Sequence, residues 1–366
     1  MNNRWVGCDV EQHFFGDDRK QSKQDRKMAS AKDRSKYKKT DKDKQQPKSV
    51  DLSDKNLLKG KVLSVLPEGF TVEHEGELYT CSLKGLLKKE RGQHKNLVTV
   101  GDNVHFSILT PKEGIIAHVD PRRSILSRAD NLHRRKEQLI AANIDQVIIT
   151  VSVVEPPLKT AIIDRYIIAA QKGNMAPVIV INKLDLLQNA PEEHRENYDE
   201  VCAIYPPLGI PVIGVSAQDQ IGIEQLKEMM KDKTSAFSGQ SGVGKTSLIN
   251  AVTGMNFNVR PIVEKTGKGS HTTSTTNLLP LPQGGFCIDT PGIKSFGVWD
   301  LDREEIEHYF SEIFETGHAC HFPDCTHTHE TECAVHKAVE EGKISLLRFE
   351  SYLALIASLS AAHKRR

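Results

Sequence analysis

The alternation of apolar and polar positions divides the 366-residue chain into unequal stretches. Residues 16–48 are dense in Lys, Arg, Asp, Gln and Ser and carry almost no apolar side chains. Such a stretch cannot bury enough surface to offset the entropy of ordering it, so a disordered charged tail is predicted over residues 1–50. From about Leu57 a period of two takes over. Gly60 to Val65 alternates, Phe70 to His74 and Glu77 to Cys81 flank a Glu75-Gly76 turn, and Val104 to Leu109 and Gly114 to Val119 follow. These five short strands predict a small all-β barrel over residues 51–121, with the OB-fold as the expected kind.

Beyond Pro121-Arg122-Arg123, which reads as a linker, strand and helix periods alternate. Gln146 to Val151 is a continuous apolar run, the mark of a parallel strand buried on both faces. Further strands are predicted at Pro177 to Ile181, Pro211 to Val215, Ser235 to Phe237 and Gly285 to Asp289, and helices at 160–173, 192–204 and 222–231. The alternation predicts an α/β domain over residues 122–300. Helices expected at 302–316 and 344–363 make residues 301–366 a helical module.

Composition changes this picture little. Hydrophobic residues make up 38% of the chain and charged residues 27%, which suits a globular core with a polar tail, and a net charge of +1 leaves only local runs informative. In the tail Lys36, Lys38 and Lys39 belong to a basic excess, either a solvated extension or an arm that binds nucleic acid through counterion release. Met1 to Trp5 is followed by no apolar core of a secretory signal, and no apolar stretch is long enough to span a membrane. Seven cysteines, three of them clustered near the C-terminus, do not suggest a disulfide framework, and a cytoplasmic location is expected.

The chemistry concentrates around Gly239-Gln240-Ser241-Gly242-Val243-Gly244-Lys245-Thr246, a G-x-x-x-x-G-K-[ST] phosphate loop. Its glycines let backbone N–H groups turn inward around phosphate oxygens, Lys245 can reach the β- and γ-phosphates, and the Thr246 hydroxyl can ligate Mg²⁺. Ser247 begins the helix whose positive end faces the phosphates. Asn182-Lys183-Leu184-Asp185 closes a predicted strand. The Asp185 carboxylate can accept from N1–H and the exocyclic amine of guanine, a donor pair adenine lacks. Asn182 can reach the O6/N7 edge and tie this loop to the phosphate loop, and the Lys183 stem can cover the base. A site built for those donors rejects an analogue without them, which argues against an ATPase. Ser216-Ala217 stands where a backbone N–H would meet guanine O6.

Downstream, Gly267 to Thr273 is polar and glycine-rich, as a mobile switch with a Mg²⁺-ligating Thr would be, and Asp289-Thr290-Pro291-Gly292 is a D-T-P-G turn. Asp289 can hold Mg²⁺ through a water, and the Gly292 N–H can contact the γ-phosphate. The guanine motif precedes the phosphate loop, the reverse of the usual order, which is the layout of a circularly permuted G domain. The chain leaving D-T-P-G runs into the C-terminal module, so nucleotide state could move that module. There Cys320, Cys325, His327 and Cys333 form C-x4-C-x-H-x5-C, a closed structural Zn²⁺ set. Nearby His318, His321, His329 and His336 leave the identity of the nitrogen ligand open at this point.

On these motifs, together with Ser124 to Arg128 at the start of the G domain, the chain from about residue 55 onward resembles the RsgA family (YjeQ/YloQ) of bacterial GTPases of small-ribosomal-subunit biogenesis. The resemblance implies a circularly permuted Ras-like P-loop G domain, preceded by an OB-fold barrel and followed by a helical zinc-binding domain. It implies a GTPase of late small-subunit maturation, stimulated by the subunit, whose nucleotide state controls association and release. The partners expected are the small (30S) subunit, its 16S rRNA and GTP/GDP, with no membrane, one structural Zn²⁺ and Mg²⁺ with GTP. A monomer is expected. Ras-like GTPases orient the attacking water with a Gln shortly after D-T-x-G, but Ile293 follows here. The resemblance points instead to His271, beside the Mg²⁺-ligand candidate Thr273, with Thr272 as the alternative. The rival reading is a guanine-nucleotide-gated RNA-binding switch with negligible turnover.

Overall fold

In the computed structural model, residues 57–84, 97–129, 137–255, 276–289 and 303–364 are described. Strands β1 (Leu58–Leu66), β2 (Gly69–His74), β3 (Glu77–Leu83), β4 (Asn103–Thr110) and β5 (Glu113–Val119) come first. They pair in the order β1-β2-β3-β5-β4, and β1–β4 pairing closes the ring. All pairs are antiparallel except β3–β5. Alternate side chains point inward, so Val62, Val72, Cys81, Val104, Phe106 and Ile116 fill the barrel. Burial pushes the Cys81 thiol up to about 11, which makes it a core hydrophobe rather than a nucleophile. The closed five-stranded arrangement is the OB-like barrel that the period-two runs predicted.

A hairpin that the apolar pattern did not announce follows, β6 (Ile125–Ala129) against β7 (Glu137–Ala142). The sequence of β7, Glu-Gln-Leu-Ile-Ala-Ala, is rich in helix formers, and pairing with β6 overrides that preference. The α/β part then runs β8 (Gln146–Ser152), α1 (Thr160–Lys172), β9 (Ala176–Asn182), α2 (Glu192–Ile204), β10 (Val212–Gly214), α3 (Ile223–Met230), β11 (Thr234–Ser238), α4 (Lys245–Thr253), β12 (Asn277–Pro280) and β13 (Phe286–Asp289). The strands lie in the order β10-β9-β8-β11-β13-β12, parallel except for β12. All seven residues of β8 are buried, as its unbroken apolar run requires. Two apolar clusters pack against this sheet, one including Ile149, Ile163, Ile167 and Ile181, the other Ile148, Val180, Leu226 and Leu248. One register pair, Ser64↔Asn277, joins β1 to β12, so barrel and G domain share a continuous sheet.

The C-terminal module contains α5 (Arg303–His308), α6 (Ser311–Gly317), α7 (Ala334–Glu340) and α8 (Leu346–Lys364). The single helix expected over 302–316 is therefore two. The break falls at Tyr309-Phe310, whose N–H groups bond to the Ile306 and Glu307 carbonyls three residues back. Phe310 leaves the helical backbone and is fully buried, edge-on to Tyr352 at 5.5 Å between ring centres. Burying that ring decides the bend. The module is not an appendage: Ile168 of α1 belongs to its apolar cluster. Arg348 of α8, 3% exposed, donates to Asp164 of α1 at 2.5 Å and to Glu312 of α6 at 2.6 and 3.2 Å. Tyr205 donates to the same Asp164 oxygen at 2.8 Å, and the guanidinium lies 4.2 Å from the Phe310 ring centre. Burial pushes the Asp164 carboxyl above its usual value against the pull of Arg348. Arg348 itself is raised because its two carboxylates outweigh the burial that would lower it.

Candidate functional site

Parallel strands place all their carboxyl ends on one edge of the sheet. Asn182 ends β9, Ser216 follows β10, Gly239 follows β11 and the Asp289 backbone ends β13. The direction of winding reverses between β8 and β11, the switch point where open α/β sheets bind ligands. The phosphate loop leaves the sheet there.

Two glycines in the loop are dictated by close approach. Gly239 has φ +143° and lies against the Thr150 carbonyl of β8, where a Cβ would collide. Gly244, φ +92°, caps α4, and a Cβ there would strike the Asn182 amide. Helix α4 begins at Lys245, two residues earlier than Ser247, so its unpaired first-turn N–H groups open directly onto the loop. Lys245 Nζ donates to the Gly239 and Gln240 carbonyls at 2.7 and 2.6 Å, which holds the loop curled around its ammonium. Val243 is 1% exposed and anchors the loop from inside, whereas Gln240 and Ser241 are exposed and Thr246 and Ser247 are half-buried.

The Asn182 side chain joins three segments. Its Nδ2 donates to the Val243 carbonyl at 2.9 Å, and its Oδ1 accepts from the Ala217 N–H at 3.2 Å. Asn182 is 2% exposed, so both bonds are made away from water. Lys183 takes a left-handed backbone, φ 66°, which turns the chain out of β9 into a short 3₁₀ segment, Leu184–Asn189. Its ammonium donates to the Glu155 carbonyl at 2.5 Å, and the Leu184 N–H bonds to Val215. Asp185 Oδ1 accepts from Ser216 Oγ at 2.6 Å, and that hydroxyl accepts from the Asp219 N–H at 3.1 Å. Among the described residues no protein donor meets Asp185 Oδ2, the acceptor left for a ligand. Asn182, Lys183, Asp185, Ser216, Ala217 and the phosphate loop thus form one constellation. The candidates His271, Thr272, Thr273 and Gly292 lie outside the described residues, as does the Asp289 side chain.

A second cluster joins Cys320, Cys325, His327 and Cys333, whose ligand atoms all lie within 4.8 Å of one another. Cys320 Sγ is 3.8 Å from Cys333 Sγ and 3.6 Å from His327 Nδ1, and Nδ1 is 3.4 Å from Cys333 Sγ. A tetrahedral ion with Zn–S of about 2.3 Å and Zn–N of about 2.0 Å would set its ligands about 3.8 Å (S to S) and about 3.5 Å (S to N) apart. The donor set therefore fits zinc, and its nitrogen is that of His327. Burial pushes the Cys325 thiol up to about 12, so metal uptake must displace protons. The loop between the ligands is wound around Glu330. Its carboxylate accepts from the N–H groups of Thr326, Thr328 and His329 at 2.8, 2.9 and 3.1 Å, and from the Thr326 hydroxyl. Burial opposes the charge, but these bonds hold Glu330 well below the usual carboxylate range. Metal analysis is expected to find about one Zn²⁺ per chain. Cys325→Ser should lose that ion and raise hydrogen exchange in residues 303–364 while guanine-nucleotide affinity stays near the parent's. A metal-free parent with the same exchange pattern would refute the metal centre.

Sequence reasoning missed Asp164, Arg348 and Glu307, whose partners come from distant segments. The signal available was a charge on an otherwise apolar helix stripe, Asp164 among Ile163, Ile167 and Ala170, because buried charges are paired.

The family described as RsgA GTPase matches residues 119–299, and RsgA N-terminal domain matches residues 59–116. A small ribosomal subunit biogenesis GTPase RsgA of Chlorobaculum parvum is 42% identical over 273 residues, 72% of this chain and 86% of that protein. Its namesake from Bacteroides fragilis is 36% identical over 301 residues, 82% and 96% of the two chains. Among solved structures, YjeQ from Thermotoga maritima superposes with a TM-score of 0.67 at 35% identity, covering 83% of this chain and 98% of its own. YloQ, a circularly permuted GTPase, gives 0.66 at 27% identity, covering 86% and 99%.

Proposed function

The chain belongs to the RsgA family of GTPases, and from that premise we propose that it hydrolyses GTP on the small ribosomal subunit late in that subunit's maturation, with nucleotide state controlling association and release. The observation that carries the nucleotide site is the Asn182 amide, bonded at once to the phosphate loop and to Ala217. One buried side chain then fixes the distance between the base-reading loop and the phosphate-reading loop.

In this reading Asp185 accepts from guanine N1–H and the exocyclic amine, the Ala217 N–H turns from Asn182 Oδ1 to O6 when the base binds, and the Lys183 stem covers the ring. The loop N–H groups and Lys245 take the phosphates. Thr246, Thr273 and Asp289 would hold Mg²⁺, which would supply charge neutralisation to the phosphates. The division into a charged tail (1–50), barrel (51–121), G domain (122–300) and zinc module (301–366) assigns rRNA contact to the barrel and tail. The relatives' names support the ribosomal setting.

Single-turnover hydrolysis with and without small subunits tests the reading. Acceleration by subunits supports it, and subunit binding without turnover would favour the nucleotide-gated RNA-binding switch. The same assay tests His271. The Ile293 side chain cannot hydrogen-bond a water, and the resemblance to the family points to the His271 imidazole, ordered on the subunit, as the group that orients it. His271→Ala should keep GTP and subunit binding and lower the stimulated rate by about 10²–10⁴-fold, the usual contribution of a positioned acid–base group. A mutant as fast as the parent on the subunit would remove His271 from the mechanism.

A further inference from the structure

The cysteine–histidine cluster has a feature that zinc binding alone does not require. His327 Nδ1 faces two sulfurs, at 3.4 and 3.6 Å, while Nε2 faces Glu307 Oε1 at 3.3 Å. If Nδ1 ligates the metal, the ring proton must sit on Nε2, where it can donate to that carboxylate. The ring has little freedom to do otherwise. The His327 side chain is 2% exposed and its backbone is left-handed, φ 56°. Its carbonyl accepts from His336 Nε2 at 3.0 Å. Gly317 presses on the ring edge, where a Cβ would come within 3.1 Å of Nε2.

Glu307 lies on α5, which has six residues and opens eleven positions after Gly292 of the D-T-P-G segment. A helix of that length does not hold itself together in water. Ile306, fully buried in the module's apolar cluster, and Glu307, on His327, are two contacts that fix it.

We propose that Glu307 is the outer-sphere positioning partner of His327 and the contact through which metal occupancy holds α5, the first described element after the D-T-P-G segment, in place. The proposal rests on the reading of the cluster as a zinc site. Linkage is reciprocal: whatever zinc contributes to the order of α5 through this bond, an ordered α5 returns as zinc affinity.

The test uses the full chain and two readouts. In competition with a chromophoric chelator, Glu307→Ala should bind Zn²⁺ about 10–100-fold more weakly than the parent, the usual cost of losing an outer-sphere partner. Glu307→Gln keeps one acceptor oxygen and should lose less, and Glu315→Ala, on the exposed face of α6, should match the parent. In hydrogen exchange, stripping zinc from the parent should deprotect residues 303–308, whereas in Glu307→Ala their exchange should be fast with or without the metal. Parent-like zinc affinity in the variants, or α5 exchange in Glu307→Ala that responds to zinc as the parent's does, overturns the proposal while leaving the zinc site standing. A parent that holds no zinc overturns both. Should Glu307→Ala not fold, Glu307→Gln decides alone, and parity with the parent in both readouts counts against the proposal.

Discussion

Replacing Asp185 with Asn should lower affinity for guanine nucleotides by about 10- to 150-fold, the factor that corresponds to losing a charged hydrogen bond of about 1.5–3 kcal/mol. The local structure argues that the change is confined to recognition. Asp185 Oδ1 is held by Ser216 Oγ, and an Asn can keep that bond with its own carbonyl oxygen. The amide nitrogen then takes the place of Oδ2 and faces the base. Guanine offers only donors there, N1–H and the exocyclic amine, so donor meets donor. Xanthine carries a carbonyl in place of the amine, so xanthine nucleotides should bind the variant better than they bind the parent. Competition between guanosine and xanthosine diphosphates reads both effects. An unchanged preference for guanine would remove Asp185 from base recognition.

Arg348→Ala should cost about 3–5 kcal/mol of stability, the range for breaking one side of a buried ion pair. The Asp164 and Glu312 carboxylates both bond to this guanidinium, and Asp164, with 0% exposure, would be left with no cation. Its second oxygen, Oδ2, already lacks a hydrogen-bond partner. The pH dependence has a definite sign. Burial raises the Asp164 pKa in the folded protein, so the folded state binds the extra proton and stability falls as pH rises above the unfolded value. Without Arg348 the rise is larger. The mutant's deficit should therefore shrink as pH is lowered towards the ordinary Asp range, where protonation removes the uncompensated charge. Asp164→Leu with Arg348→Met should recover much of the loss, because apolar replacements of matched volume dispense with the desolvation cost. Urea unfolding at neutral and mildly acidic pH measures all of this. A deficit below about 1 kcal/mol, the value of an exposed pair, would contradict the burial.

That ion network bears on how the C-terminal module could move. The connectivity alone suggested that nucleotide state could move the module through the D-T-P-G segment. Arg348 and Ile168 instead fasten the module to α1 of the G domain, so any motion driven by nucleotide has to pass through or break that contact.

The Gly239–Thr246 and Asn182–Asp185 motifs were legible in sequence because each is a fixed set of residues at fixed spacing, and the Asn182 bond to Val243 brings the two together. The barrel was legible because its strands are exposed on one face and alternate. The rest depended on partners that no local window contains. Strand β7 is built of helix formers, and helix α7, whose first residue follows Cys333, was hidden by the metal motif that precedes it. The α5–α6 break is set by Phe310, whose ring turns inward because Tyr352 and Arg348, some forty residues later, make its pocket. Glu307 reads as a surface carboxylate until the fold sets it against His327.

The pairing of β8 with β11 has a consequence for how the protein is made. Gln146 and Ser235 are register partners, although 89 residues separate them. Strand β8, buried along its whole length in the finished fold, emerges from synthesis early and meets β9 within a few tens of residues. Its other edge stays open until β11 is translated, roughly 5–20 s later at ordinary elongation rates. The half that carries Asn182 and Asp185 is thus synthesised first and waits, with an apolar strand edge uncovered, for the half that carries Gly239 to Lys245. The nascent chain should be most open to aggregation and to chaperone capture in that interval, and translation pauses between residues 152 and 234 should lower the yield of folded protein more than pauses after 253.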